Sequence, residues 1–253
     1  MEILAFPVNA LILLLLFDCI VIFHIWKHDS AVVRFLESVK AAIIAIVLLL
    51  VTVVVLGIVL RMGNIQSITH TWPFVISAFI FLIVLGFAAV KRTIPFNRKS
   101  IWFIITHWGL WLAFASLFLG SFDRKSCDVV VSKDSRYDVA QVSEIENVQL
   151  PFVMSCSDFH CNSQKNELVS ISADVEFFWN DEDYDFYTIR VNEPYSKNGW
   201  LVSLKSFSQE NTRIICVFSV LYDSWKFFVE FGFALLAVGS IMMLVTRRRK
   251  FDN

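Results

Sequence analysis

The chain has no glycine-rich phosphate loop, no HExxH helix and no serine or cysteine nucleophile set beside a base in sequence. Their absence removes the usual signatures of nucleotide hydrolysis and zinc peptidase chemistry. Its five cysteines include no CxxC pair, so neither a zinc ribbon nor a thioredoxin-type redox motif is written here. Cys156, His160 and Cys161 stand close together, but no second ligand pair accompanies them, and His160 reads as a loop residue. No basic residue precedes the first apolar block: Met1 and Glu2 lead it and Lys27 follows it. A cleaved secretory signal carries its positive charge first, so this block is expected to stay as a helix with its N-terminus outside.

What is abundant is apolar sequence in blocks. Hydrophobic residues make up 57% of the 253, more than a soluble domain carries. They gather in Ile3 to Ile25, Ala41 to Leu60, Trp72 to Val90, Ile101 to Leu119 and Phe227 to Val245, each about 19 to 23 residues long. A hydrocarbon core of about 30 Å takes about 20 helical residues to cross. The expected fold is therefore an integral membrane α-helical bundle of about five transmembrane helices. One extracytoplasmic all-β, sandwich-like domain is inserted in it.

The near-neutral total conceals a division of charge. Residues 122–226 hold 17 acidic and 10 basic side chains, and the rest of the chain holds 6 acidic and 12 basic. An acidic soluble face repels phosphates, which argues against nucleic acid as a partner. The basic groups cluster at Lys27, Arg34 and Lys40, at Lys91, Arg92, Arg98 and Lys99, and at Arg247 to Lys250. All three clusters share one side if the N-terminus lies outside, which puts residues 122–226 outside and the C-terminus in the cytoplasm.

Within 122–226 the pattern turns to period two. Val169, Ile171, Ala173 and Val175 alternate with polar residues, and Tyr187–Val191, Trp200–Leu204 and Arg213–Leu221 follow. Asn180-Asp181-Glu182-Asp183, Asn192-Glu193-Pro194 and Lys197-Asn198-Gly199 supply the turns. Short strands so spaced predict an antiparallel sandwich or barrel. Four cysteines fall here (Cys127, Cys156, Cys161 and Cys216), which permits disulfides in three connectivities. The expected division is 1–33, an additional N-terminal helix and turn; 34–121, three membrane helices; 122–226, the β domain; and 227–253, the last helix and basic tail.

His107 is the candidate site residue. It stands seven residues into the fourth block, about 10 Å deep at about 1.5 Å per residue. An ionisable side chain at such depth points to function by default, and neutral imidazole is a usual haem ligand. Phe103, His107, Trp111 and Phe114 share one helical stripe, with Phe103 and Trp111 offering flat surface beside the ring. Gly109, Ala113, Ser116 and Gly120 form another stripe, suited to close helix packing. The alternative at this point is a His107 that merely hydrogen-bonds a neighbouring helix. His24, His28 and His70 lie at helix ends.

In order along the chain stand Arg34-Phe35-Leu36-Glu37-Ser38-Val39-Lys40, Thr106-His107-Trp108-Gly109 and Leu119-Gly120-Ser121. Leu150-Pro151-Phe152 with Asp158-Phe159, Val191-Asn192-Glu193-Pro194 with Gly199-Trp200, and Tyr222-Asp223-Ser224-Trp225 follow. Gly232 and Gly239-Ser240 close the series. Over about residues 34–246 this series resembles the ResB/CcsB family of System II cytochrome c biogenesis proteins. The chain departs from that family in its first helix, its shorter outer domain, and Ser224 where proline is common.

The resemblance implies a multi-pass protein of the cytoplasmic membrane, a non-catalytic subunit of a haem-transfer and cytochrome c synthetase complex. It implies haem as cofactor, shared with a CcsA/CcsC-type partner, and delivery to apocytochrome c outside. It also implies that His107 is the intramembrane axial ligand. The partner's tryptophan-rich WGxxWxWD-like signature does not occur in this chain, so the partner is expected as a separate polypeptide. Two readings compete: a b-type haem electron-transfer subunit, and a scaffold without haem whose β domain binds another protein.

Overall fold

The computed structural model describes residues 5–63, 68–132, 136–141, 147–164, 167–180, 182–210 and 213–248. The chain divides into a helical unit, residues 1–123 with 224–253, and a sheet unit, residues 124–223.

In the helical unit, α1 spans Val8–Trp26, α2 Ala31–Leu36, α3 Val39–Arg61, α4 Trp72–Thr93, α5 Ile101–Gly120 and α6 Lys226–Arg248. Five of these, all but the short α2, are long and apolar enough to cross a membrane, in agreement with the five sequence blocks. Their ends follow local chemistry. The Ser30 and Ser38 hydroxyls accept from the Val33 and Ala41 amides, each at 3.2 Å, and so start α2 and α3. Pro73 sits in the first turn of α4, where its missing N–H costs nothing. Ile94, extended ahead of Pro95, ends that helix. In α3 only Ala41 and Ala45 are buried, while Ile43, Val47, Leu50 and Val54 are exposed around the rest of the helix. A helix apolar on every side requires lipid or protein on every side.

Helices α5 and α6 meet along a seam of small residues. A Cβ built on Gly109 would fall 2.6 Å from the Leu236 nitrogen, and one on Gly232 would fall 2.5 Å from the Ala113 nitrogen. A Cβ on Gly239 would collide with Thr106. The backbones are therefore nearly in contact, the arrangement that dispersion favours in a medium offering no hydrophobic force between helices.

Two polar clusters add to this, one half-buried at Asp123 and one buried at Glu37. Asp123 accepts from the Phe6 amide at 2.6 Å, Asn9 Nδ2 at 2.7 Å and Trp225 Nε1 at 2.5 Å. Glu37 accepts from His24 Nδ1 at 2.6 Å and has Lys91 Nζ at 3.7 Å, with both the glutamate and the imidazole buried.

The sheet unit is one antiparallel sheet of eight strands: β1 Lys125–Ser132, β2 Arg136–Gln141, β3 Asn147–Gln164, β4 Glu167–Phe178, β5 Tyr184–Arg190, β6 Tyr195–Lys197, β7 Trp200–Glu210 and β8 Arg213–Tyr222. The spatial order is β5-β4-β3-β2-β1-β8-β7-β6. Register shifts interrupt the ladders at Tyr137/Val139, Cys156/Asp158, Asn162/Ser163 and Leu204/Ser206. Such bulges bend and twist strands, and the sheet rolls until its two edges meet. The Tyr195 hydroxyl of β6 donates to Asp185 of β5 at 2.6 Å, and Lys197 Nζ donates to Asp183 and Asp185 at 2.5 and 2.7 Å. Bonding to Lys197, then to Tyr195, holds the Asp185 carboxyl below its usual range.

The all-β expectation holds, and the layers that a sandwich draws from two sheets come here from one rolled sheet. Every second residue points inward, as in Phe152, Met154 and Cys156, then Ala173, Val175 and Phe177, then Cys216, Phe218 and Val220. Across this core Phe152 meets Trp200 at 5.7 Å and Phe177 stacks on Tyr195 at 4.0 Å between centroids. Asn198 and Gly199, with φ of 51° and 81°, make the two-residue turn between β6 and β7. A type I′ hairpin needs that sign at both positions.

Candidate functional site

His107 lies in the second turn of α5, half-buried. Its Nδ1 is 2.9 Å from the Phe103 carbonyl oxygen, one helical turn back. A carbonyl only accepts, so Nδ1 carries the proton and the lone pair sits on Nε2. No described residue hydrogen-bonds Nε2. The Phe103 ring lies nearly parallel to the imidazole, 3.7 Å between centroids and inclined by 21°. Over the Phe103 ring stands Arg92 of α4, its guanidinium carbon 5.7 Å from the centroid. A tautomer-fixed imidazole, a flat apolar ring and a guanidinium thus share one place on the bundle.

The rest of the stripe is occupied otherwise. Trp111 is buried, donates from Nε1 to the Leu82 carbonyl at 3.1 Å, and packs against Trp108 and Phe17. Phe114 packs edge-on against Phe81 of α4, 4.7 Å between centroids. The structure therefore brings Phe103 to His107 and turns Trp111 into the helix core. The small-residue stripe of Gly109 and Ala113 faces α6. Arg92 was missed in the sequence, where it counted only as one of a group of orienting charges. Its signal, a cation one turn from the end of the helix preceding His107, is too common to be read alone.

The other histidines have different duties. Both nitrogens of His24 are engaged, Nδ1 by Glu37 and Nε2 by the Ile94 carbonyl at 3.3 Å. His28 is exposed, its Nδ1 3.7 Å from Asp29. His70 lies beside the Thr69 hydroxyl at 3.1 Å and edge-on to Phe122. His160, expected in a loop, is on β3, exposed, with Nε2 3.1 Å from Asp174. Cys156 is in the core while His160 is on the surface, so the two do not converge. The Cys161 side chain lies outside the described residues. Among the described residues no three His, Cys, Asp or Glu side chains gather to hold a metal ion.

The fold defines the class: a multi-span membrane helical bundle with an all-β unit inserted between its last two helices. No protein-family model matches the chain, and no curated protein does. Among solved structures it is similar to a cytochrome c haem lyase, CcmF, with a TM-score of 0.42 and 11% identity over 78% of this chain and 33% of that one. The chain spans about a third of that protein's length. The likeness is too distant to bear on chemistry.

Proposed function

We propose that this chain is a cytochrome c biogenesis subunit of the cytoplasmic membrane. With a separate CcsA/CcsC-type partner, it moves haem across the bilayer and presents it for attachment to apocytochrome c. The observation that supports this most directly is the His107 imidazole, held by the Phe103 carbonyl with its Nε2 lone pair unengaged by described residues. A neutral, oriented imidazole is the donor that haem iron takes, and a bond to the remote nitrogen fixes which face it offers. The residues present thus fit the group.

Haem, when bound, supplies the macrocycle to which the thiols of apocytochrome c are joined. The chain's part is to hold and orient it. His107 would hold the haem iron through Nε2, Phe103 steadies the imidazole by stacking, and Arg92 would offer its guanidinium to a haem carboxylate. No acid or base from this chain is required, which suits a subunit of a synthetase and not a free-standing enzyme. In this reading residues 122–226 face outward and the basic ends face the cytoplasm. A b-type electron carrier would ask for two imidazoles facing each other within the bilayer, and the four other histidines lie at helix ends or on the sheet unit.

Replacing His107 by Ala tests the reading. Haem retained by the purified chain with its partner, and c-type haem staining in cells, should fall by more than about tenfold, the lower end of the loss from removing an outer-shell partner at a metal site. The amount of chain in the membrane should not change. Unaltered staining in cells carrying only this variant would end the proposal.

A further inference from the structure

Four cysteines in residues 122–226 allow three pairings by sequence, and the core of the sheet unit selects among them. Cys156 on β3 and Cys216 on β8 are each 1% exposed and belong to the same cluster of core side chains. Their strands are not neighbours in the sheet: β2 and β1 lie between them. They meet only because the sheet rolls. Phe207 on β7 is in register with Cys216, and its ring lies 5.0 Å from that of Phe159, three residues along β3 from Cys156. The Cys156 thiol donates to the Asp158 carbonyl at 3.5 Å, and Cys216 is its neighbour across the core. Interaction with the neighbouring Cys216 thiol, reinforced by burial, pushes the Cys156 thiol up from its ordinary value, while Cys216 sits lower.

Cys127 has another place. It is opposite Val220, and its thiol points at the Val220 carbonyl at 3.8 Å, whereas Cys216 is opposite Val131. Four residues of strand separate the two levels, about 13 Å at about 3.3 Å per residue. Cysteine Cα atoms more than about 7 Å apart cannot be bridged without moving the backbone.

We propose that Cys156 and Cys216 are the site of a disulfide that staples β3 to β8 through the core of the sheet unit. Both sulfurs stand as free thiols in the structure, within one core cluster. Two S–H bonds break and one S–S bond forms. The two electrons and two protons pass to a disulfide oxidant of the outer compartment, which leaves as two thiols. The exchange takes place while β3 and β8 are docking, since the closed core gives an oxidant no access to either sulfur. The staple rests on the outward placement of residues 122–226 argued above, because such a bond persists only on an oxidising face.

The test uses the full chain in its own membrane, alkylated with iodoacetamide in denaturant without reductant, then digested and mapped by mass spectrometry. The peptides carrying Cys156 and Cys216 should be recovered joined, two hydrogens lighter than their sum, and should separate on reduction. Recovery of both in alkylated form, or of either joined to Cys127 or Cys161, would overturn the assignment. Orientation is read separately, from modification of the exposed Lys205 by an impermeant amine reagent. If Lys205 reacts from outside while both cysteines are alkylated, the staple fails and the placement stands. If Lys205 reacts only from the cytoplasmic side, the placement fails, and the staple loses its oxidant with it.

Discussion

The sheet unit buries or half-buries most of its large apolar side chains, and the helical unit leaves most of its own exposed. In the sheet unit Phe152, Met154, Phe177 and Phe218 are almost fully enclosed by the protein itself. In the helical unit Leu14 is 61% exposed, Val39 75% and Leu244 70%. In water, burial is worth roughly 25 cal/mol for each Å² of apolar surface, and the sheet unit is built to collect it. Lipid tails are as apolar as leucine, so helices gain nothing by hiding such groups from them. The helical unit keeps a core around Leu82, Trp111, Phe118 and Leu119, and is held besides by backbone contact along the α5–α6 seam and by polar clusters at Asp123 and Glu37. Volume holds one region, and closeness holds the other.

This contrast can be broken by substitution, and the largest effect belongs to the sheet unit. Phe218→Ala deletes a fully buried ring from the rolled core and should destabilise that unit by about 3–5 kcal/mol. Denaturant titration with limited proteolysis as the probe should show the sheet unit lost while the helices stay protected. The next effect belongs to the helices. Gly232→Leu puts side-chain atoms where the Ala113 backbone stands and should cost about 1–3 kcal/mol by overpacking. It would be seen as a lower melting temperature in detergent, with the sheet unit intact. A silent Gly232→Leu would mean that the seam is not what joins α5 to α6. The smallest effect is at the surface. Lys205→Ala removes an exposed pair with Asp128 at 2.6 Å and should shift stability by less than about 1 kcal/mol in the same titration.

Much of this was legible in the sequence, for physical reasons that differ by region. Helix number followed from block length, because a bilayer sets a minimum span, whereas α1 begins only at Val8, after Pro7 and five residues into its block. The later strands followed from alternation and turns: Asn180 does accept from the Glu182 and Asp183 amides, and Asn198-Gly199 does turn the chain. The strands β1, β2, β3 and the short β6 were not singled out. There Pro151, Asp158 and scattered charge break the alternation, and pairing with β8 across the sequence fixes β1 more than its own residues do. At the site, His107 and Phe103 were within reach of helical spacing alone. The burial of Trp111 was not, since a stripe is a line on one helix and α4 decides which part of it is covered. Arg92 likewise needed the third dimension.

Asp123 gathers two distant stretches of chain, at residues 6 to 9 and at 225, onto one carboxylate. Residues 124–223 leave and return between two rims that the helical unit ties down by itself. A knot of that kind makes the intervening hundred residues a cassette. Its length and surface can change without loosening the Asp123 contacts, since all three lie within the helical unit.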